Sequence, residues 1–279
     1  LVKGLSLSPD QWMEAVAYVR SRSQKILVLA DIYDEASIPV VERMNVDMIK
    51  IHSADLSNHG LIRKTGKLNK PTMMGIGAST LEEINNAVAV FRETNPQGFL
   101  MLMHGFQAFP TPFEEVNIRQ IQTLKESLHL PIGFLDHTEG DTPESLFLPL
   151  VALAAGACAV EKHIVIDRSK KGVDYESALS LPYFQDFMRL LRKTELALGS
   201  SHYKPLTDKE KQYRVFMKKS IVAAREIKSG EVLTSDMIAL KRSLPGLGGE
   251  YVDQLIGRKT NRTFNMDENI TIEGVEGHG

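Results

Sequence analysis

Six short apolar runs, Ile26–Ala30, Asp47–Ile51, Thr72–Gly75, Phe99–His104, Ile132–Leu135 and Ala157–Glu161, recur along the chain with helix-patterned segments between them. Runs this short and apolar suit strands buried on both faces, and the intervening segments are long enough for helical crossovers. The pattern predicts an α/β fold with a parallel sheet, either open or closed into a barrel. Helix starts are marked locally. Ser8 precedes Pro9 and Asp10, as a cap precedes proline at the first helical position, and Trp12, Val16 and Val19 follow at helical spacing. Ser79-Thr80 with Glu82 and Glu83 predicts a capping box, with Leu81, Ile84, Val88 and Phe91 as the buried stripe.

The alternation stops after a helix expected from about Pro182 to Leu198. Residues 201–215 read as a polar linker following a 1–200 α/β domain, and 216–279 as a small β-rich domain of short strands punctuated by glycine. A chain of 279 residues, 43% hydrophobic, can bury one large core and one small one. Its net charge of −2 supplies no basic footprint for nucleic acid or an anionic membrane. The single cysteine, Cys158, excludes an internal disulfide framework and a thiolate zinc cluster and fits a reducing, cytoplasmic location. No run reaches the about eighteen apolar residues a membrane helix needs.

In parallel α/β folds chemistry gathers at the carboxyl ends of strands. Here those ends are polar: Lys50 to Asp55, His104 to Gln107, Asp136-His137-Thr138 and Glu161-Lys162-His163. His137 and His163, closing adjacent strands, have the chemistry to share a divalent ion, with Asp136 and Glu161 available as ligands or supports. Hydrogen-bonded structural histidines are the other reading. Period-two alternation puts Glu161 and His163 on one face and Lys162 on the other, so Glu161 faces inward and needs a cation, either a metal or Lys50. Gly75-Ile76-Gly77-Ala78-Ser79 runs into a capped helix, as an anion cradle or simply a tight turn.

Taken together, Met48–Ser53, Met103–Phe106, Phe109–Pro112, Gly133–Thr138, Gly156–His163, Gly172–Asp174 and Lys218–Ala223 through Arg242 resemble the sialic acid synthase (N-acetylneuraminate synthase) family in order and spacing. The resemblance implies a (β/α)8 TIM-type barrel followed by an antifreeze-like SAF domain. It also implies a transferase that condenses phosphoenolpyruvate with an N-acylated hexosamine to a nine-carbon 2-keto-3-deoxy acid, releasing phosphate. His137 and His163 match metal ligands for Mn²⁺ or Mg²⁺. Lys50 matches a lysine on the phosphoenolpyruvate phosphate and Ser53 a polar contact beside it; Asp55 stands where the family often has glutamate. Lys50, Asp55 and Glu161 are then the catalytic candidates. Gly75 falls at a phosphate-pocket position, where its backbone N–H can substitute for a hydroxyl, with Gln107 available as a neutral donor; Asp174 falls at a sugar contact, and Arg242 at an arginine that a domain-swapped homodimer delivers in trans.

The chain departs from that pattern at Asp31, Gly75 and Leu135, where hydroxyl residues are common, and at Phe109, which replaces a tyrosine. Asp31 beside a phosphate opposes binding unless it is protonated, turned away or bridged by metal. The family's first two barrel strands, with their carboxylate and lysine, have no match and are expected ahead of Leu1. Two other functions stay open: a carbohydrate-binding or regulatory relative without condensation, and a metal-dependent aldolase or lyase.

Overall fold

The computed structural model describes residues 7–105 and 108–276. They form two compact units, Leu1–Gly199 and Ser200–Gly279.

In the first unit helix α1 (Pro9–Arg22) starts at the Ser8 cap. Strands β1 (Leu29–Ile32), β2 (Met48–Ile51), β3 (Thr72–Gly75), β4 (Leu100–His104), β5 (Ile132–Asp136) and β6 (Val160–Lys162) follow, separated by α2 (Ile38–Met44), α3 (His59–Lys67), α4 (Leu81–Thr94), α5 (Gln120–Leu128) and α6 (Pro143–Ala154). The six strands lie in sequence order in one parallel sheet. A further parallel pair, β7 (Ile164–Val165) and β8 (Leu179–Ser180), precedes α7 (Leu181–Leu198).

The sheet curls as a barrel wall does. Strands stand about 4.8 Å apart, so β2 and β6, with three strands between them, would lie about 19 Å apart in a flat sheet. Yet Lys50 on β2 reaches Glu161 on β6, Nζ to Oε1, at 2.6 Å. Two side chains cannot span a gap of that size, so the strand ends must close toward one another.

Alternation then assigns the two faces. The main core lies between sheet and helices, with Ile49, Ile51, Met74, Leu100, Leu102, Ile132 and Phe134 packed against Ile62, Ile84, Phe91, Ile121 and Leu148. The concave face carries a smaller cluster of Met101, Met103 and Leu135, with Met73 and Ala159. Gly133 is small because a Cβ there would strike the Met103 side chain and stand 3.4 Å from the Ala159 methyl.

Two local expectations shift. The strand expected from Ile26 starts at Leu29, because the Val28 N–H donates to Asp47 Oδ2 (2.7 Å) and leaves Ile26 and Leu27 exposed ahead of the ladder. In α4 the Thr80–Glu83 capping box forms, but Leu81 is exposed and the buried set is Ile84, Ala87, Val90 and Phe91. Leu81 is the first residue after the cap, one turn ahead of the packed face.

The second unit begins with the polar segment read as a linker, and α8 (Asp208–Met217) forms within it, capped by Thr207 and Glu210. Strands β9 (Lys219–Ala223) and β10 (Ile238–Arg242) pair antiparallel, followed by the short helix α9 (Val252–Leu255). Ile221, Ala223, Ile227, Leu233, Leu255, Phe264, Ile270 and Val275 form a separate core.

Candidate active site

A polar cavity at the carboxyl ends of the strands is lined by Asp31, Tyr33, Lys50, His52, Ser53, Phe109, Leu135, His137, Glu161, His163 and Asp174. Strand register builds it. Asp31 on β1 is the direct neighbour of Lys50 on β2, and Leu135 on β5 that of Glu161 on β6. Lys50 is buried, and its ammonium lies between two carboxylates: Asp31 Oδ2 at 3.0 Å and Glu161 Oε1 at 2.6 Å. Burial works against that charge, but Glu161 and Asp31 more than offset it and hold the lysine pKa above its ordinary value. Asp31 shows the converse: burial pushes its carboxyl above the usual range despite Lys50. Asp31 Oδ1 and Ser53 Oγ are buried without a hydrogen-bond partner among the described residues, an exception to the rule that buried polar atoms are paired.

His137 and His163 face each other with ring centroids 5.2 Å apart, and Phe109 packs against both, at 4.3 and 5.7 Å. With about 2.1 Å between a metal and an imidazole nitrogen, two rings sharing one ion stand about 4.5–5.5 Å apart, and the spacing of this pair falls within that range. Asp174 Oδ2 lies 3.8 Å from His163 Nδ1. Among the described residues no group of three or more His, Cys, Asp or Glu side chains forms a fuller cage.

The carboxylates considered as metal supports are engaged elsewhere. Glu161 holds Lys50, and Asp136, fully buried, pairs outside the barrel with Lys162 (Oδ2 to Nζ, 2.8 Å). Asp136 Oδ1 accepts the Thr138 N–H (2.9 Å) and hydroxyl (2.7 Å), while the His137 carbonyl accepts from Thr111 N (2.8 Å) and Ser177 Oγ (2.7 Å). The backbone on both sides of His137 is thereby fixed.

Of the sequence candidates, Lys50, Ser53, Glu161, His137, His163 and Asp174 meet in this cavity. Asp55 does not line it; its Oδ1 accepts from Asn58 Nδ2 at 3.0 Å. Gly75 lies behind the lining, where a Cβ would come within 2.9 Å of the Ser53 backbone nitrogen. Gly77, Ala78 and Ser79 border a neighbouring groove with His52 and Ser53. Gln107 lies outside the described residues. Arg242 ends β10, exposed, in the second unit. Tyr33, which stacks on His52 at 4.8 Å, was not singled out by sequence; its only signal is its position two residues beyond Asp31 on the same face. A larger groove along α1, β1 and α2 is mainly apolar, with Trp12, Val16 and Val41 in its lining.

A family model described as the NeuB family matches residues 1–203, and a SAF domain model matches 218–276. The chain is 33% identical over 277 residues to an uncharacterised protein of Methanocaldococcus jannaschii, covering 99% of this chain and 80% of that one. It is 27% identical over 271 residues to an N,N'-diacetyllegionaminic acid synthase of Campylobacter jejuni, covering 97% and 79%. A crystal structure of N-acetylneuraminic acid synthetase from Leptospira borgpetersenii, in complex with citrate, superposes with a TM-score of 0.67 at 27% identity, over 77% of this chain and 73% of that one.

Proposed function

The chain belongs to the NeuB family and carries a SAF domain, and on that basis we propose that it is a nonulosonic acid synthase, condensing phosphoenolpyruvate with an N-acylated hexosamine and releasing phosphate. Relatives named as acid synthases support the reaction class. The observation that carries the reading to particular residues is the convergence of Lys50, Glu161, His137 and His163 on one cavity.

His137 and His163 would hold a divalent ion, Mn²⁺ or Mg²⁺, which supplies a Lewis acid for the sugar's open-chain aldehyde. Lys50 offers the donor's phosphate a cation. Glu161 keeps that ammonium charged and aimed into the barrel. Ser53, which lines the same cavity, would add a polar contact beside that phosphate. Asp174 stands beside His163, where a sugar hydroxyl could reach its carboxylate. Phe109 covers the histidine pair and restricts water there.

Arg242, on the SAF unit, would bind the acyl end of the sugar in a partner subunit's barrel, so the working unit is a domain-swapped homodimer. Asp55 and Gly75 stand outside the lining and take no direct part in this reading, and Gln107 lies outside the described residues. The location is cytoplasmic. The reading is tested by measuring inorganic phosphate from the full chain with Mn²⁺, phosphoenolpyruvate and a panel of N-acylated hexosamines. Sugar-dependent release is expected; no release across the panel from folded, metal-loaded protein would refute it.

A further inference from the structure

Before any metal ion is counted, the charges of the described side chains that line the cavity do not suit a phosphate at Lys50. Among the described residues that line it, Lys50 is the one Lys or Arg, facing the carboxylates of Asp31, Glu161 and Asp174. Its ammonium is already shared by two of them, at 3.0 and 2.6 Å. A phosphate arriving at Lys50 must displace one carboxylate or sit beside both, and like charges in a partly buried pocket repel strongly.

The two carboxylates are not equivalent. Glu161 reaches Lys50 across the barrel from β6, at the shorter distance. Asp31 is the in-register neighbour of Lys50 on the adjacent strand, so whatever side chain stands at position 31 lies against the ammonium. Its second oxygen, Oδ1, is buried without a partner among the described residues. It is thus the less well satisfied of Lys50's partners.

We infer that Asp31 is a specificity-determining residue that competes with the donor's phosphate for Lys50 and weakens binding of phosphorylated donors. This rests on the synthase reading for the identity of the donor. Asp31 acts through charge, so a neutral side chain there frees Lys50 to make a one-to-one exchange with the phosphate while Glu161 stays in place. A donor without phosphate has no such competition to relieve.

The test is equilibrium titration of phosphoenolpyruvate, and separately of pyruvate, into the Mn²⁺-loaded full chain and its Asp31→Asn and Asp31→Ser variants. Both variants should tighten phosphoenolpyruvate by about tenfold or more while changing pyruvate by less than about threefold. Unchanged or weaker phosphoenolpyruvate binding in folded variants would overturn the inference. So would failure of the isosteric Asp31→Asn to fold, because Asp31 would then be holding Lys50 for the sake of the fold. Tighter binding without phosphate release on any sugar would refute the condensation reading and leave the inference standing. Turnover with unchanged affinity would do the opposite.

Discussion

Lys50 Nζ and Glu161 Oε1 meet at 2.6 Å across the interior of the sheet, joining β2 to β6. The contact joins strand ends that curl toward each other, helps Asp31 keep a buried lysine charged, and lies in the cavity that also holds the histidine pair. Structure and proposed chemistry share it.

Replacing Lys50 with Met should lower phosphate release from phosphoenolpyruvate by about a hundredfold or more, as loss of an oxyanion donor does. It also strands two carboxylates. Their side chains are 26% and 30% exposed, so the loss should fall below the about 3–5 kcal/mol of a fully buried broken pair. Urea unfolding measures it, and wild-type activity in folded Lys50→Met would refute the phosphate role.

Lys162 and Asp136 form the more deeply buried pair, 2% and 0% exposed. Lys162→Met leaves the Asp136 carboxylate without its cation and should cost about 3–5 kcal/mol in urea unfolding. Adding Asp136→Asn removes the stranded charge while keeping an oxygen for Thr138, and should recover at least half of the loss. A double variant no more stable than the single one would show that the charge is not the cause.

The stability of the Asp31→Asn variant should depend on pH. The Asp31 carboxyl is raised in the folded protein, chiefly by burial, so its contribution is fully present below the unfolded value of about 3.9 and is lost as pH rises through the folded value. Asp31→Asn should therefore melt higher than the parent at pH 7, by an amount that shrinks as pH falls toward about 4. A constant difference across that range would contradict the burial argument.

His137→Ala and His163→Ala should each weaken Mn²⁺ binding, read by electron paramagnetic resonance, and abolish most activity. Unaltered Mn²⁺ binding in either would remove that residue from the metal site. Arg242→Ala should raise the KM for the sugar with little change in the KM for phosphoenolpyruvate; unchanged sugar kinetics would argue against the contact in trans.

Much of this was legible in the sequence because strand alternation is a strict rule. It put Glu161 and His163 on one face and offered Lys50 as the partner of Glu161, and that ion pair is present. The same rule put Lys162 on the other face, but its pairing with Asp136 depends on register between β5 and β6, which residue order along one strand does not carry. Asp31 could be flagged as an acid in a phosphate pocket. That it neutralises Lys50 follows only from β1 and β2 aligning those two residues. Asp55 looked equivalent to its neighbours in sequence, yet the short turn Ser53–Asp55 points its carboxylate to Asn58. Tyr33 and the packing of Phe109 on the histidines arise from loops, whose paths have no periodicity to read.

The most direct measurement is mass spectrometry of the product, paired with phosphate quantitation, after incubating the full chain with Mn²⁺, phosphoenolpyruvate and N-acylated hexosamines. A 2-keto-3-deoxy acid three carbons longer than the sugar, formed in equal amount with phosphate and lost in His163→Ala, is the predicted result. Metal-loaded, folded protein that binds sugar but forms no such acid from any of them would contradict the assignment as a synthase.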